Sequence, residues 1–362
     1  MQRMIEARRL SFSLGAGLAL LSAVLFGAST PLAKILLGSI EPWLLAAVLY
    51  LGSGVGLFVV RLALGARRHA NTREASLTGT GWLWLGGAIL FGGVIAPVLL
   101  MAGLAHTPAA SASLLLNLEG VLTAVLAWFA FHENFDRRIA LGMLAITAGA
   151  GLLSWQGGFS LSGIAGPIAI AGACLGWALD NNLTRKVSLS DPVQIAMVKG
   201  LVAGTINLLL ALWQGVHVPD YTTLAIAALV GSVGYGLSLV LFILALRHIG
   251  TARTGAYYST APFIGVAVAV LLFDEPLTIN LTIAAVLMAL GVWLHLTERH
   301  DHKHGHEEIR HEHRHVHDEH HSHRHTSVDL VDEPHTHWHG HDPVVHRHPH
   351  YPDPHHRHDH AP

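Results

Sequence analysis

A single cysteine, Cys174, stands among 362 residues, so no disulfide can form within the chain. Charge is scarce too: Asp, Glu, Lys and Arg make up 13% of the residues against 51% hydrophobic. No glycine-rich phosphate loop, no nucleophile–base arrangement and no catalytic metal motif occurs, so neither enzymatic activity nor a required cofactor is expected. No nucleic-acid partner is expected either. The scarcity of charge is uneven. Before Thr297 inclusive there are 15 Lys/Arg and 11 Asp/Glu, whereas the last 65 residues hold 7 and 13 and almost nothing apolar. The apolar content is therefore packed into residues 1–297, too densely for a soluble domain.

Crossing the hydrocarbon layer of about 30 Å takes roughly 20 apolar residues per helix. Ten such runs are present, near 10–37, 42–64, 81–104, 109–131, 138–156, 161–183, 192–213, 221–246, 252–273 and 277–297. Glycine and alanine recur inside them, as expected where membrane helices approach closely. The start, "MQRMIEARRLSFSLGAGLALLSAVLFG", has the basic-then-apolar order of a signal peptide. Its apolar run is too long for one, and it reads as an uncleaved first helix.

Two stretches align without a gap at an offset of 142. "HTPAASASLLLNLEGVLTAVLAWFAFHENF" lies over "HIGTARTGAYYSTAPFIGVAVAVLLFDEPL", matching His106 with His248, Glu133 with Glu275 and, further on, Gly149 with Gly291. A weaker match at an offset near 149 covers the first helix of each half. Each half is then a five-helix unit, 1–156 and 157–297, and an odd number of crossings turns the second copy upside down. Basic residues mark alternate connections: Arg3/Arg8/Arg9, Arg61/Arg67/Arg68/Arg73, Arg137/Arg138, Arg185/Lys186 and Arg247/Arg253. The connections between them carry none, which places both termini in the cytoplasm of a multi-pass inner or plasma membrane protein. Inverted repeats are a signature of secondary transporters with a midplane site.

The paired five-helix pattern, the first-helix segment "FGASTPLAK" and the helix ends "HENFDRRIALGMLAITAGAGLL" and "DEPLTINLTIAAVLMALGVWL" resemble the drug/metabolite transporter superfamily, specifically an EamA-type permease with two EamA-like repeats. The resemblance implies an all-α fold of ten transmembrane helices and a permease activity, with no substrate specified. One departure is visible. Pro262 stands where such repeats carry a proline, but the first half has Glu119-Gly120 there.

Ionisable groups in hydrocarbon are costly and are functional candidates by default. Four occur: Lys34, Glu119, Asp180 and Lys199. At about 1.5 Å of rise per residue, Glu119 falls close to the midplane, Lys34 in the outer third, and Asp180 and Lys199 toward the inner side. Depth alone predicts two pairs, Lys34 with Glu119 and Asp180 with Lys199. Gly172, Gly176, Asp180 and Thr184 follow at i+4 on one small-residue stripe, and Lys199, Ala203 and Asn207 form another. Asn117, Thr123, Asn181 and Asn182 add polar groups to the candidate pathway. Burial penalises the charged form of an unpaired carboxylate, so Glu119 would take up and release protons as the site opens to each side. Glu133, Glu275, His106 and His248 lie at helix ends and read as capping, gating or interfacial residues.

Of 29 histidines, 23 fall in the tail 298–362. They are His300, His302, His304 and His306; His311, His313, His315 and His317; His320, His321, His323 and His325; His335, His337, His339 and His341; His346, His348 and His350; and His355, His356, His358 and His360. Spacing by two places imidazoles on one side of an extended chain. The composition predicts a disordered segment. Imidazoles without thiolates suit divalent Zn, Ni, Co or Cu, with affinity falling below about pH 6.5 as they protonate.

Three functions follow. The first is a permease for a small metabolite, proton-coupled or exchanging, with a metal-binding cytoplasmic tail. The second is a transition-metal permease fed by that tail. The third is a membrane-anchored metal sensor. Two acids, two lysines and amides, without a histidine or cysteine cluster in the helices, favour the first, with amino acids or organic anions as cargo. The bilayer, a small-molecule substrate and divalent metal ions at the tail are the expected partners. A homo-oligomer stays open, as do direction and coupling ion.

Overall fold

A computed structural model describes residues 2–65, 77, 79–131, 137–155, 161–187, 190–296, 301–305, 309–315, 335–341 and 345–349. The elements begin with α1 (Gln2–Leu36), α2 (Pro42–Gly65) and α3 (Gly81–Ala88), which runs through a π-helical segment, Ile89–Ile95, into α4 (Ala96–Ala105). There follow α5 (Ala109–Leu115), α6 (Leu118–Phe131), α7 (Arg137–Ser154), α8 (Leu161–Thr184) and α9 (Pro192–Trp213). Then α10 (Tyr221–Val230) passes through a second π segment, Gly231–Leu237, into α11 (Ser238–Tyr258), with α12 (Ala261–Phe273) and α13 (Ile279–Leu296) completing the helices. Among the described residues, eight helices are long and apolar enough to cross a membrane, and Ala261–Phe273 and Ile279–Leu294 are shorter apolar helices.

The two halves share their irregularities. Each residue of the second π segment lies 142 positions after its counterpart in the first, extending the sequence match upstream of His106. Helix α5 stops before Leu116-Asn117 and α11 before Ser259-Thr260, and Asn117 and Ser259 are partners at that same offset. The causes differ. In the second half Pro262 lacks the N–H a continuous helix needs, and the Ser259 and Thr260 hydroxyls donate to the carbonyls of Gly255 (2.8 Å) and Tyr257 (2.6 Å). In the first half there is no proline, and Asn117 Nδ2 competes with the backbone by donating to Leu114 O at 3.0 Å.

Helix α11 is continuous through the connection expected near Arg247. It is nevertheless sharply bent. The rings of Phe242 and Tyr258 meet at 4.8 Å, whereas sixteen residues of straight helix would separate them by about 24 Å.

Between halves the helices meet through glycine, because in lipid association comes from close packing rather than from exclusion of water. Arg61 at the end of α2 pairs with Asp191 at the start of α9 (3.0 Å), so these helices are antiparallel. A Cβ on Gly54 would lie 2.5 Å from the backbone nitrogen of Leu201, and one on Gly204 would lie 2.6 Å from that of Leu51. At an offset of 150 these are the same contact made twice. Helices α7 and α13 repeat the pattern, Gly149 against Met288 and Gly291 against Ile146. Such reciprocity between antiparallel helices is what a two-fold axis perpendicular to them produces.

Four tail segments pair as strands, where a segment without regular structure is expected: β1 (Asp301–Gly305) with β4 (Val345–Pro349), and β2 (Ile309–His315) with β3 (His335–His341), both antiparallel. Their alternating residues supply the period of two that a strand needs. The other tail residues lie outside the described residues.

Leucine at position 54 or at 204 should each lower stability by about 1–3 kcal/mol through overpacking. Thermal unfolding in detergent, followed by the folded fraction on gel filtration, should show similar falls in Tm for both. A neutral result at either position is incompatible with the reciprocal contact.

Candidate functional site

The site is assembled around the first π segment. A π turn frees carbonyls from the helical ladder, and here they are re-used. Gly92 O accepts from Tyr50 Oη (2.7 Å) and from Trp177 Nε1 (3.0 Å), while Gly93 O accepts from Asn207 Nδ2 (3.1 Å). The glycines are required by approach. A Cβ at position 92 would fall on the Asp180 carboxylate, and one at position 93 would meet Ala203 Cβ at 2.6 Å. Helices α2, α8 and α9 thus converge on one turn of backbone.

Asp180 and Lys199 form an ion pair there, both buried, at 4% and 8% exposure. Thr184 Oγ1 donates to Asp180 Oδ1 at 2.9 Å. This is the inner pair expected from depth. The stripe beneath it also forms: Gly176 lies against Ala96 and Gly172 against Leu99, which puts Asp180 against Gly92. On α9, Lys199, Ala203 and Asn207 are all buried on the face turned to the π segment.

The outer pair does not form. Glu119, in the first turn of α6, accepts from Asn181 Nδ2 at 2.7 Å. Lys34 Nζ instead donates to the last carbonyls of α4, Leu104 O (2.5 Å) and Ala105 O (3.1 Å). Depth along the membrane normal fixes height but not azimuth, and Lys34 sits beside the carbonyl end of α4, whose dipole attracts a cation. Asn182 Nδ2 donates to Ala178 O (2.9 Å) and, at 3.5 Å, to Thr123 O, joining α8 to α6. Asn117 is buried at the helix break and does not reach Glu119's partner.

The sequence reading overlooked the aromatic layer. Phe26 packs on Trp177 (6.2 Å), Tyr235 (5.8 Å) and Tyr258 (5.7 Å), and Tyr50 packs on Tyr235 at 5.6 Å. Glu119 is within electrostatic range of Lys199, Asp180, Tyr50 and Tyr258, so the rings and the charged groups share one region. No spacing in the sequence marks these rings as neighbours; at the offset of 142 only Tyr235 falls on the π segment's counterpart, opposite Gly93.

Glu275 is a cap: its two carboxylate oxygens accept from Ala109 N (2.8 Å) and Ala110 N (3.0 Å). His106 is exposed at the adjacent turn. Glu133, the His248 side chain and every tail histidine side chain lie outside what is described. Among the described residues no group of three or more His, Cys, Asp or Glu side chains gathers to hold a metal.

Residues 13–155 and 164–297 each match the family described as the EamA-like transporter family. An uncharacterized transporter of Methanothermobacter thermautotrophicus is 30% identical over 285 residues, covering 75% of this chain and 83% of the relative. An uncharacterized transporter of Bacillus subtilis, YyaM, is 23% identical over 283 residues, covering 75% and 89%. A solved structure with 21% identity superposes with a TM-score of 0.59, covering 78% of this chain and 98% of its own, a likeness of fold alone.

Lys199→Met should destabilise by about 3–5 kcal/mol because it strands a buried carboxylate. Asp180→Asn with Lys199→Met should cost clearly less than the two singles together. A double-mutant cycle on unfolding in detergent measures this, and additivity would mean that the pair is not coupled.

Proposed function

The chain belongs to the EamA-like transporter family, and from that premise we propose that it is a secondary permease for a small metabolite, with Glu119 meeting cargo and proton in turn. The reading takes the eight long apolar helices and the two shorter ones as ten crossings. They form two five-helix halves, 1–156 and 157–297, inverted relative to each other, with tail 298–362 and both termini in the cytoplasm. The two-fold contacts and the alternation of basic connections support that arrangement. It is also the architecture in which one half rocks against the other around a central site.

One observation carries the assignment to Glu119. Lys199 is paired with Asp180, and Lys34 is committed to helix-end carbonyls, whereas among the described residues the hydrogen-bond partner of the Glu119 carboxylate is a neutral amide. A carboxylate so placed accepts either a proton or a cationic group, and exchange between the two couples cargo to a proton gradient. The charge count favours a cargo presenting an ammonium group, an amino acid or amine, over the organic anion that the lysines suggest in isolation. The aromatic rings beside Glu119 fit the same cargo through their negative faces.

The tail, with its 23 histidines, binds divalent Zn, Ni, Co or Cu as a sink or sensor, and the core does not carry those metals. Support comes from the chemistry of the two parts: imidazoles are in the tail, whereas the core site has amides, Glu119 and an Asp180 already paired with Lys199.

In proteoliposomes loaded with a pH-sensitive dye and supplied with pools of amino acids and amines, the intact protein should move protons with its substrate. Glu119→Gln should cut that flux by about tenfold or more, as expected on losing a charge-assisted contact and the proton site together. Wild-type flux in Glu119→Gln would remove the residue from the mechanism. Cellular Zn, Ni, Co and Cu, measured with and without residues beyond Leu296, should follow the tail and be unchanged by Glu119→Gln. Metal content that follows Glu119 would make the core a metal permease.

A further inference from the structure

Two charged side chains meet at one turn of the bundle, and the transport site uses neither. The turn joins α4 to α5, residues 106–108. Helix α5 begins after Pro108, which has no side-chain cap to offer, so its first N–H groups need a partner from elsewhere. Ala109 and Ala110 are buried, at 0% and 1% exposure, so water is not that partner. Glu275, from the connection between α12 and α13 in the other half, supplies both acceptors, at 2.8 and 3.0 Å. On the other side of the same turn, the carbonyls ending α4 are taken by Lys34 from the last turn of α1. Lys34 and Glu275 are also within electrostatic range of each other.

The opposite dipole ends of α4 and α5 are therefore each met by a complementary charge, and the two charges attract across the turn. The carboxylate comes from the half matched at 164–297, while the turn and Lys34 belong to the half matched at 13–155. Few contacts between halves have this character. The reciprocal glycine contacts are van der Waals surfaces, the Asp180–Lys199 pair lies within the second half, and the Arg61–Asp191 pair joins the halves at the other end of α2 without capping a break between helices of the other half.

We propose that Glu275 and Lys34 form an ionic latch between the halves, that it holds this end of the bundle closed, and that it must release before Glu119 can be reached from that end. Release is feasible because both side chains are only half-buried, and water can take over the two N–H groups and the two carbonyls as the halves part. A hydrophobic seal would reopen less readily. The latch concerns access alone, so it stands or falls independently of cargo and coupling ion.

The test uses the full chain in membrane vesicles of both orientations, in a Cys174→Ser background, with Ser113→Cys as reporter. Ser113 lies one turn beyond Ala109, is buried at 1%, and faces Gly265 of α12. The rate of labelling by a membrane-impermeant maleimide is read with the reagent on each side. Glu275→Ala and Lys34→Met should each raise the rate from the face bearing His106 by about tenfold or more, the shift expected on losing charge-assisted hydrogen bonds. Glu275→Gln, which keeps one acceptor oxygen, should fall between them and the parent, and it serves if a stronger variant does not elute as a single folded species. Unchanged labelling in all three, or an increase only from the opposite face, overturns the latch.

Discussion

In hydrocarbon every backbone N–H and C=O must find a partner inside the protein, and the architecture of this chain follows from how it meets that demand where its helices are irregular. Two π segments and two helix breaks release backbone groups near the middle of the bundle. At the first π segment and at both breaks, side chains answer the release: Tyr50 and Trp177 on Gly92 O, Asn207 on Gly93 O, Asn117 on Leu114 O, Ser259 and Thr260 on the carbonyls before them. The Gly92 carbonyl is the critical one. It draws α2 and α8 onto the same point, and by doing so places Asp180 where only glycine leaves room for its carboxylate. The polar site is therefore a consequence of backbone satisfaction rather than an insertion into a finished bundle.

The same demand sorts the charges by role. Lys199 and Asp180 satisfy each other. Lys34 and Glu275 satisfy helix ends. Glu119 alone among these depends on an amide for compensation. A permanently buried pair is structural because separating it is expensive, whereas a carboxylate with a neutral partner can change its company at modest cost. What already holds each group thus sets the Asp180–Lys199 pair and the two helix-end caps apart from Glu119, to which the proposed function assigns exchange.

Much of this was legible in the sequence because it depends on period and spacing. The offset of 142 found from His106 onward also locates both π segments and both breaks, and the i+4 stripe through Gly172, Gly176 and Asp180 correctly gave the face that meets α4 and the π segment. The pairing of Asp180 with Lys199 followed from depth. Depth failed for Lys34 and Glu119 because two residues at compatible heights can face different neighbours, and the break before Glu119 changes which way α6 presents it. The aromatic layer was invisible for another reason: Phe26, Tyr50, Trp177, Tyr235 and Tyr258 come from five separate helical stretches, and nothing in their linear spacing says that their rings meet. The tail strands escaped because composition argues for disorder and only pairing partners argue against it.

The two-fold relation also explains why the charged site is single. At the equivalent positions the bundle is neutral: Ser29 faces Gly234 where Asp180 faces Gly92, Ala261 stands at the offset position of Glu119, and Leu49 at that of Lys199. If both halves carried the full set, the bundle would enclose two carboxylates and two ion pairs near one axis. The like charges would repel in a medium that screens them poorly. Keeping the backbone device in both halves while placing the charged set at only one of the two equivalent locations resolves the conflict. The duplicated π segments and breaks give each half the same irregular middle. In the proposed function the unduplicated Glu119 is the one site reached in turn from the two ends, and a single carboxylate so visited is the minimum from which directional exchange can be built.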